Sequence, residues 1–251
     1  MDGVTLLPWS EVVDYTVKCG NARVTQILKT CQTTGRLKFS HIRELLASDD
    51  TGLKTFELSG HIGLGTPGDL SFYVNTSAVG YDLHWNRPVS VPALNGLAPI
   101  WHLHPANTMP YKFPQHTGFY MSNFFSEQDV DFCISHPMTI SVIFNKESVS
   151  DAFPFPCIYV FMFVPHLDEH VPHGAVSPTD GLLRVQTSYQ RHVVPLVIQK
   201  IENFTTTQTD CEIDWPRIVE EFRRRRIVLR YLYHHDEFEL DRILRELKGA
   251  F

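Results

Sequence analysis

The sequence predicts an α/β (α+β) domain, because strand-like and helix-like segments alternate through the middle of the chain. The largely apolar segment Thr139–Phe144 and the continuous apolar run Ile158–Val164 are typical of strands buried on both faces. Apolar residues with helical spacing mark residues 9–34 and 215–249, near the two ends. A chain of 251 residues allows one large domain or two small ones, and it can bury a core without disulfide or metal staples.

The N-terminal third begins with a predicted helix over residues 9–34, or with two helices if Gly20 and Asn21 divide it. A strand is expected at Arg36–Phe39, with Ser40 as the N-cap of a helix over His41–Ala47. Further strands are predicted at Lys54–Leu64, Leu70–Thr76, Ala98–Leu103 and Val193–Ile201.

Loops and helices complete the predicted order. Residues 105–121 and 165–180 are predicted to be long loops, and a helix is expected to begin within Ser126–Phe132. Residues 215–233 and 236–249 are predicted to form a C-terminal pair of helices, with Asp214 as cap and Pro216 in the first turn. The apolar residues of this pair are expected to pack on the domain or on a partner subunit.

Charge and composition exclude several classes of function. Lys and Arg total 22 against 28 Asp and Glu, so a net charge of −6 gives no support to general nucleic-acid binding. The longest apolar run, Cys157–Val164, is far shorter than the roughly 20 residues of a membrane helix. The five cysteines form no CxxC pair, and the N-terminus has an acid where a signal peptide carries a base. We therefore expect a reducing, intracellular location, cytoplasmic or nuclear, and no cysteine-based zinc knuckle.

The strongest chemical signal is Ile100-Trp-His-Leu-His-Pro105. His102 and His104 lie two residues apart on a predicted strand, so both imidazoles emerge on the same face. Two imidazoles on one rigid strand suit a zinc site. A bare HxH is also compatible with two histidines that simply face solvent or a polar crevice.

Two further segments carry acids. Ser126 and Asp129 are three residues apart at a predicted helix start and share a face, although the same residues also suit an ordinary N-cap. Glu57 lies in an otherwise apolar strand, where acids are disfavoured, unless it occupies an exposed position.

Together and in this order, the three segments resemble the JAMM (MPN+) metalloprotease family, whose pattern is a Glu on an early strand, then HxHP, then SxxD. The resemblance covers roughly residues 36–200. It implies an MPN/JAMM-like mixed β-sheet flanked by helices over residues 36–205, with an N-terminal helical extension (1–35) and the C-terminal helical pair (206–251). One departure is the connection between HxHP and SxxD, which spans the twenty residues 106–125 and is much longer than is usual in the family.

The resemblance also implies a mechanism. One zinc ion would be held by His102, His104 and Asp129, with the fourth position left to a water. Glu57 would act as general base on that water, and the Ser126 hydroxyl would stabilise the oxyanion. The implied activity is hydrolysis of isopeptide or peptide bonds at a ubiquitin-like C-terminus, so ubiquitin or a relative would be the substrate.

The alternatives are a JAMM peptidase with another substrate and a non-catalytic MPN scaffold that recruits protein partners. The terminal helices would then contact a partner or a second copy.

Other motifs compete less well. His166-Leu-Asp-Glu-His170 spells HxxEH, a zinc motif that needs a helix, and Pro165 and Pro172 limit any helix there. A zinc deaminase is excluded, because Pro156-Cys157 is followed by Val160 where PCxxC needs its second cysteine. The run Arg223–Arg226 is interpreted as a solvated helical face, with a basic patch for a partner as the weaker alternative. Cys133 and Cys157 are interpreted as core residues and not as nucleophiles.

Overall fold

A computed structural model describes residues 6–47, 56–74, 79–81, 98–104, 125, 127–147, 156–165, 167 and 215–250. The predicted strand Val193–Ile201, the predicted loop 105–121 and the predicted cap Asp214 lie outside the described residues, as does most of the loop 165–180.

Helices and strands alternate along the described chain, with the bounds that follow. The helices are α1 (Trp9–Lys18), α2 (Ala22–Thr34), α3 (Phe39–Ala47), α4 (Glu127–Ser135), α5 (Trp215–Arg223) and α6 (Glu237–Ala250). The strands are β1 (Leu6–Leu7), β2 (Arg36–Lys38), β3 (Phe56–Glu57), β4 (Ser59–Leu64), β5 (Leu70–Val74), β6 (Val79–Tyr81), β7 (Ile100–Leu103), β8 (Ser141–Phe144), β9 (Ile158–Phe163) and β10 (Ile227–Leu232).

The main sheet has seven strands in the order β10-β9-β8-β7-β4-β5-β2. Its neighbouring strands are antiparallel except for β7 and β8, which pair in parallel. Parallel neighbours need a crossover connection, and α4 lies in the connection between β7 and β8. A second, three-stranded sheet has the order β1-β6-β3. The prediction of an α+β fold, with a mixed sheet flanked by helices, is confirmed.

Two apolar layers cover the two faces of the main sheet. Along β9, Ile158, Val160 and Met162 belong to one layer, whereas Tyr159, Phe161 and Phe163 belong to the other. We call the first the large layer, since it includes residues of α1, α2, α3 and α6, and the second the small layer, formed with α4 and α5. Because successive side chains of a strand point to opposite faces, a strand buried by both layers is apolar throughout, as the sequence of β9 is.

The N-terminal segment forms two helices, which is one of the two predicted arrangements. Gly20 adopts a positive φ of 76°, a conformation that glycine tolerates, and this ends α1. The Asn21 side chain then caps α2 by accepting the Val24 amide at 3.0 Å. The predicted N-cap at Ser40 is wrong, because α3 already begins at Phe39, whose buried ring packs against Phe72.

The C-terminal pair of helices is also wrong in part, since residues 215–233 contain a helix followed by a strand. Arg226 has a φ of 64°, which ends the helical conformation after α5. Beyond it, β10 pairs with β9 along its whole length, from Ile227 opposite Phe163 to Leu232 opposite Ile158. This pairing gives the backbone N–H and C=O groups of β10 hydrogen-bond partners in the sheet, and Ile227–Leu229 are buried there.

Helix α6 packs on the turn between β4 and β5. The Gly68 amide donates to Asp241 at 3.0 Å, and the Leu70 amide donates to Glu237 at 3.1 Å. Gly68 has a φ of 82°, a conformation that favours glycine, and a Cβ there would lie only 2.4 Å from the ring of the exposed Phe238. Burial, aided by nearby acidic charges, raises the pKa of Glu237 despite the hydrogen bond from Leu70.

Candidate metal centre

Strand β7 places two histidines on the face of the sheet that the small layer covers. Trp101 and Leu103 point into the large layer, and the Trp101 indole donates to the Tyr73 carbonyl at 3.1 Å. By the alternation of the strand, His102 and His104 lie on the opposite face, with ring centroids 5.1 Å apart and planes tilted by 52°. The structure therefore brings both predicted histidines together.

Helix α4 supplies the carboxylate. Its residues Val130, Cys133 and Ile134 are buried in the small layer, which fixes the helix against the sheet. Asp129 then faces β7, with Oδ1 3.1 Å from Nε2 of His102 and Oδ2 3.4 Å from Nε2 of His104. The three side chains are 10–15% exposed, so the cluster is largely screened but still reachable from solvent.

The donor atoms of His102, His104 and Asp129 all lie within 4.8 Å of one another, so these residues could hold a metal ion. Burial acts to raise the pKa of Asp129, but the charges and hydrogen bonds of His104 and His102 outweigh it and hold that pKa well below its ordinary value. A carboxylate must be ionised to bind a metal. The electrostatics of the cluster therefore keep Asp129 in its ligand form.

Glu57 is placed by the backbone alone, since its side chain is not among those described. Ser59 pairs with His102, and the Leu103 amide donates to the Leu58 carbonyl at 2.9 Å. The same antiparallel register places Glu57 opposite His104. Glu57 also pairs with Gly80 in the three-stranded sheet, so the predicted strand Lys54–Leu64 is divided at Leu58 into β3 and β4.

Ser126 lies outside the described residues, but the residues on either side of it are described. Phe125 is 6% exposed, and its ring meets those of Tyr159, Phe161 and Phe222 edge to face at centroid distances of 5.1–5.5 Å. Phe125 was not predicted as a site residue, although an aromatic residue directly before SxxD is visible in the sequence. Phe125 and α4 fix the chain on both sides of Ser126.

The remaining sequence motifs have mixed outcomes. The HxxEH motif lies outside the described residues except for Leu167. The solvated helical face predicted for Arg223–Arg226 is correct only in part, because α5 ends at Arg223. Arg224 is exposed, the Arg225 side chain is 12% exposed, and both form ion pairs with Glu221.

The interpretation of Cys133 and Cys157 as core residues is confirmed, since both are buried. Burial raises the pKa of Cys133 to about 12 and raises that of Cys157 as well, which disfavours either thiol as a nucleophile.

Comparison with protein-family models, with curated proteins and with solved structures finds no match for this chain. Within the described residues, no helix is long and apolar enough to cross a membrane. The site must therefore be interpreted from its own geometry.

Proposed function

We propose that this protein is a zinc-dependent hydrolase of the JAMM type, with an MPN/JAMM-like fold, which cleaves isopeptide or peptide bonds at the C-terminus of a ubiquitin-like protein. The observation that supports it most is the convergence of His102, His104 and Asp129 from β7 and α4. Asp129 is 27 and 25 positions from the two histidines along the chain, and the JAMM pattern names the same three residues as ligands.

The donor spacing suits zinc. Zinc binds imidazole nitrogen and carboxylate oxygen at about 2.0–2.2 Å, and two such ligands at tetrahedral angles are about 3.3–3.6 Å apart. The distance from Nε2 of His102 to Oδ1 of Asp129 is 3.1 Å, and that from Nε2 of His104 to Oδ2 is 3.4 Å, both within a few tenths of an ångström of that spacing. Three protein ligands also leave a fourth position for water or substrate, as catalytic zinc sites do.

Bound zinc would supply Lewis acidity and lower the pKa of a bound water to about 7. The chain itself must then move a proton, and Glu57 is the proposed general base. Its register position opposite His104 puts its backbone beside the ligand strand. Glu57 takes a proton from the attacking water and passes it to the leaving amine, a role worth roughly 10²–10⁴ in rate.

Ser126 is the proposed oxyanion donor. It immediately follows the anchored Phe125 and lies three residues before the ligand Asp129. A preorganised donor does not have to be reorganised as charge develops on the substrate oxygen. The choice of a ubiquitin-like substrate rests on the family resemblance of Glu57, HxHP and SxxD.

Two measurements test the proposal. Zinc content is measured in the full chain and in Asp129→Asn, with Asp14→Asn, on the exposed face of α1, as the matched control. Cleavage of ubiquitin and ubiquitin-like dimers is then compared between the wild type and Glu57→Gln.

We expect Asp129→Asn to lose zinc, Glu57→Gln to keep zinc but lose turnover, and Asp14→Asn to retain both. Zinc binding that is indifferent to Asp129 would refute the site. A zinc-loaded wild type that cleaves none of these substrates would favour the scaffold alternative or another peptide substrate.

A further inference from the structure

A second group of metal-ligating side chains lies on the other face of the sheet. One donor atom each from Glu147, Cys157 and His235 lies within 4.8 Å of the other two. Oε1 of Glu147 is 3.4 Å from Nδ1 of His235 and accepts the His235 backbone amide at 2.5 Å. Cys157 is fully buried, the His235 side chain is 4% exposed and Glu147 is 39% exposed, so the group opens to solvent at its carboxylate.

Three adjacent strands hold this group in place. Glu147 follows β8, Cys157 precedes β9 and His235 follows β10, so all three lie at the same end of neighbouring strands. The Asn145 amide donates to the Cys157 carbonyl at 2.7 Å, and the Cys157 amide donates to the Leu232 carbonyl at 2.7 Å. These bonds extend the sheet pairing up to the ligands themselves, so the donors are preorganised by backbone structure.

Hydrogen bonding selects the nitrogen that His235 offers. Its Nε2 is 2.8 Å from the Asn145 carbonyl oxygen, and since a carbonyl only accepts, Nε2 carries the proton. Nδ1 then presents a lone pair toward Glu147 Oε1. A metal-binding histidine whose other nitrogen donates to a backbone carbonyl is the usual supporting arrangement.

We propose that Glu147, Cys157 and His235 form a second zinc site, with the carboxylate oxygen, the thiolate and Nδ1 as ligands. Sulfur and nitrogen ligands favour zinc over magnesium or calcium, which prefer oxygen. On binding, the Cys157 thiol proton is released to solvent and its sulfur bonds to the ion. The exposed side at Glu147 leaves the remaining coordination position to water.

The site would join the ends of β8, β9 and β10 and would be separate from the first centre. The His235 ring lies 6.4 Å from Phe144 and 6.5 Å from Phe39, both in the large layer. His102 and Asp129 lie on the face of the small layer. The sheet thus separates two ion positions, and burial of Cys157 and His235 limits access for a substrate.

The test uses the full chain loaded with Co²⁺ and, separately, with Zn²⁺. His102, His104 and Asp129 contribute no sulfur, so a thiolate-to-cobalt charge-transfer band in the near ultraviolet would report the second site alone. We expect this band in the wild type and in Asp129→Asn, and its loss in Cys157→Ser. Zinc content should fall from about two ions per chain to about one in either variant and to none in the double variant.

Two further variants and two controls separate metal binding from damage to the core. Glu147→Gln changes a partly exposed ligand, and we expect it to weaken cobalt binding by about 10-fold or more while the circular dichroism spectrum stays native. His235→Ala should lose the band, whereas His234→Ala, at the exposed neighbouring position, should keep it. Cys31→Ser, at an equally buried cysteine of the large layer, should also keep it.

Absence of a thiolate band in folded, cobalt-loaded wild type would overturn the second site. Its persistence in Cys157→Ser would do the same. Loss of one zinc ion in Asp129→Asn with no change in Cys157→Ser would refute the second site and leave the proposed function intact, and the reverse pattern would refute the first centre only.

Discussion

Asp129→Asn should abolish most of the stabilisation that zinc bound by His102, His104 and Asp129 gives to the folded chain. The substitution is nearly isosteric, but it replaces an ionised carboxylate, whose oxygens lie 3.1 and 3.4 Å from two imidazole nitrogens, by a neutral amide. Loss of an outer hydrogen-bonding partner of a metal ligand already costs 10–100-fold in affinity, so loss of the ligand itself should cost at least about 100-fold.

The size of the effect follows from mass action. Free zinc at 100 times the wild-type dissociation constant stabilises the folded state by about 2.7 kcal/mol. For a chain near 250 residues, each kcal/mol raises Tm by about 2–4 °C, which gives a rise of about 5–11 °C. With 100-fold weaker binding at the same zinc concentration, Asp129→Asn would gain only about 0.4 kcal/mol, or about 1–2 °C.

Thermal unfolding of metal-free protein, followed by circular dichroism with increasing zinc, measures both shifts. Asp14→Asn is the control, because Asp14 is an exposed carboxylate on α1. A contribution from the second site would raise every chain alike, so the difference between wild type and Asp129→Asn is the quantity that matters. Equal shifts in the two chains would refute the assignment of Asp129 as a ligand.

The other predictions concern catalysis, packing and pH. Glu57→Gln should reduce turnover by about 10²–10⁴, and Ser126→Ala should reduce kcat by about 10²–10³, with zinc content unchanged in both by mass spectrometry. Phe222→Ala should lower the free energy of unfolding in urea by about 3–5 kcal/mol, because the fully buried ring packs against two aromatic rings of the small layer. Because the fold raises the pKa of Glu237, this side chain stabilises the folded state below the ordinary glutamate pKa, and that stabilisation is lost as pH rises through the folded pKa. Glu237→Gln should therefore be more stable than wild type at pH 7 and not at pH 4.

The sequence predicted the parts of the site that depend on short-range geometry. His102 and His104 share a face because of the two-residue period of a strand, which is visible in the sequence. Asp129 could be added only by resemblance, since nothing local shows that α4 packs across β7. The side chains of Glu57 and Ser126 remain predictions.

The group of Glu147, Cys157 and His235 was beyond sequence reasoning, because its members are 10 and 78 residues apart along the chain. Only the order β10-β9-β8 brings the three segments together.

Strand β10 was missed for a related reason. The apolar residues of β10 continue the helical spacing of α5. They form a strand because β9 provides backbone hydrogen-bond partners and an apolar surface along its edge. The two- and three-residue strands β1 and β6 carry no sequence pattern that a period could reveal.

The packing of α6 on the β4–β5 turn constrains the order in which the protein can mature during synthesis. Gly68 and its partner Asp241 are 173 residues apart. At about 5–20 residues per second, the ribosome needs roughly 10–35 s to make the intervening chain. Throughout that interval the hairpin of β4 and β5 lacks its contact with α6. For the shorter time between the synthesis of β9 and that of β10, the edge of β9 is also unpaired. The nascent chain thus exposes apolar surface and an unpaired strand edge, the features that chaperones bind.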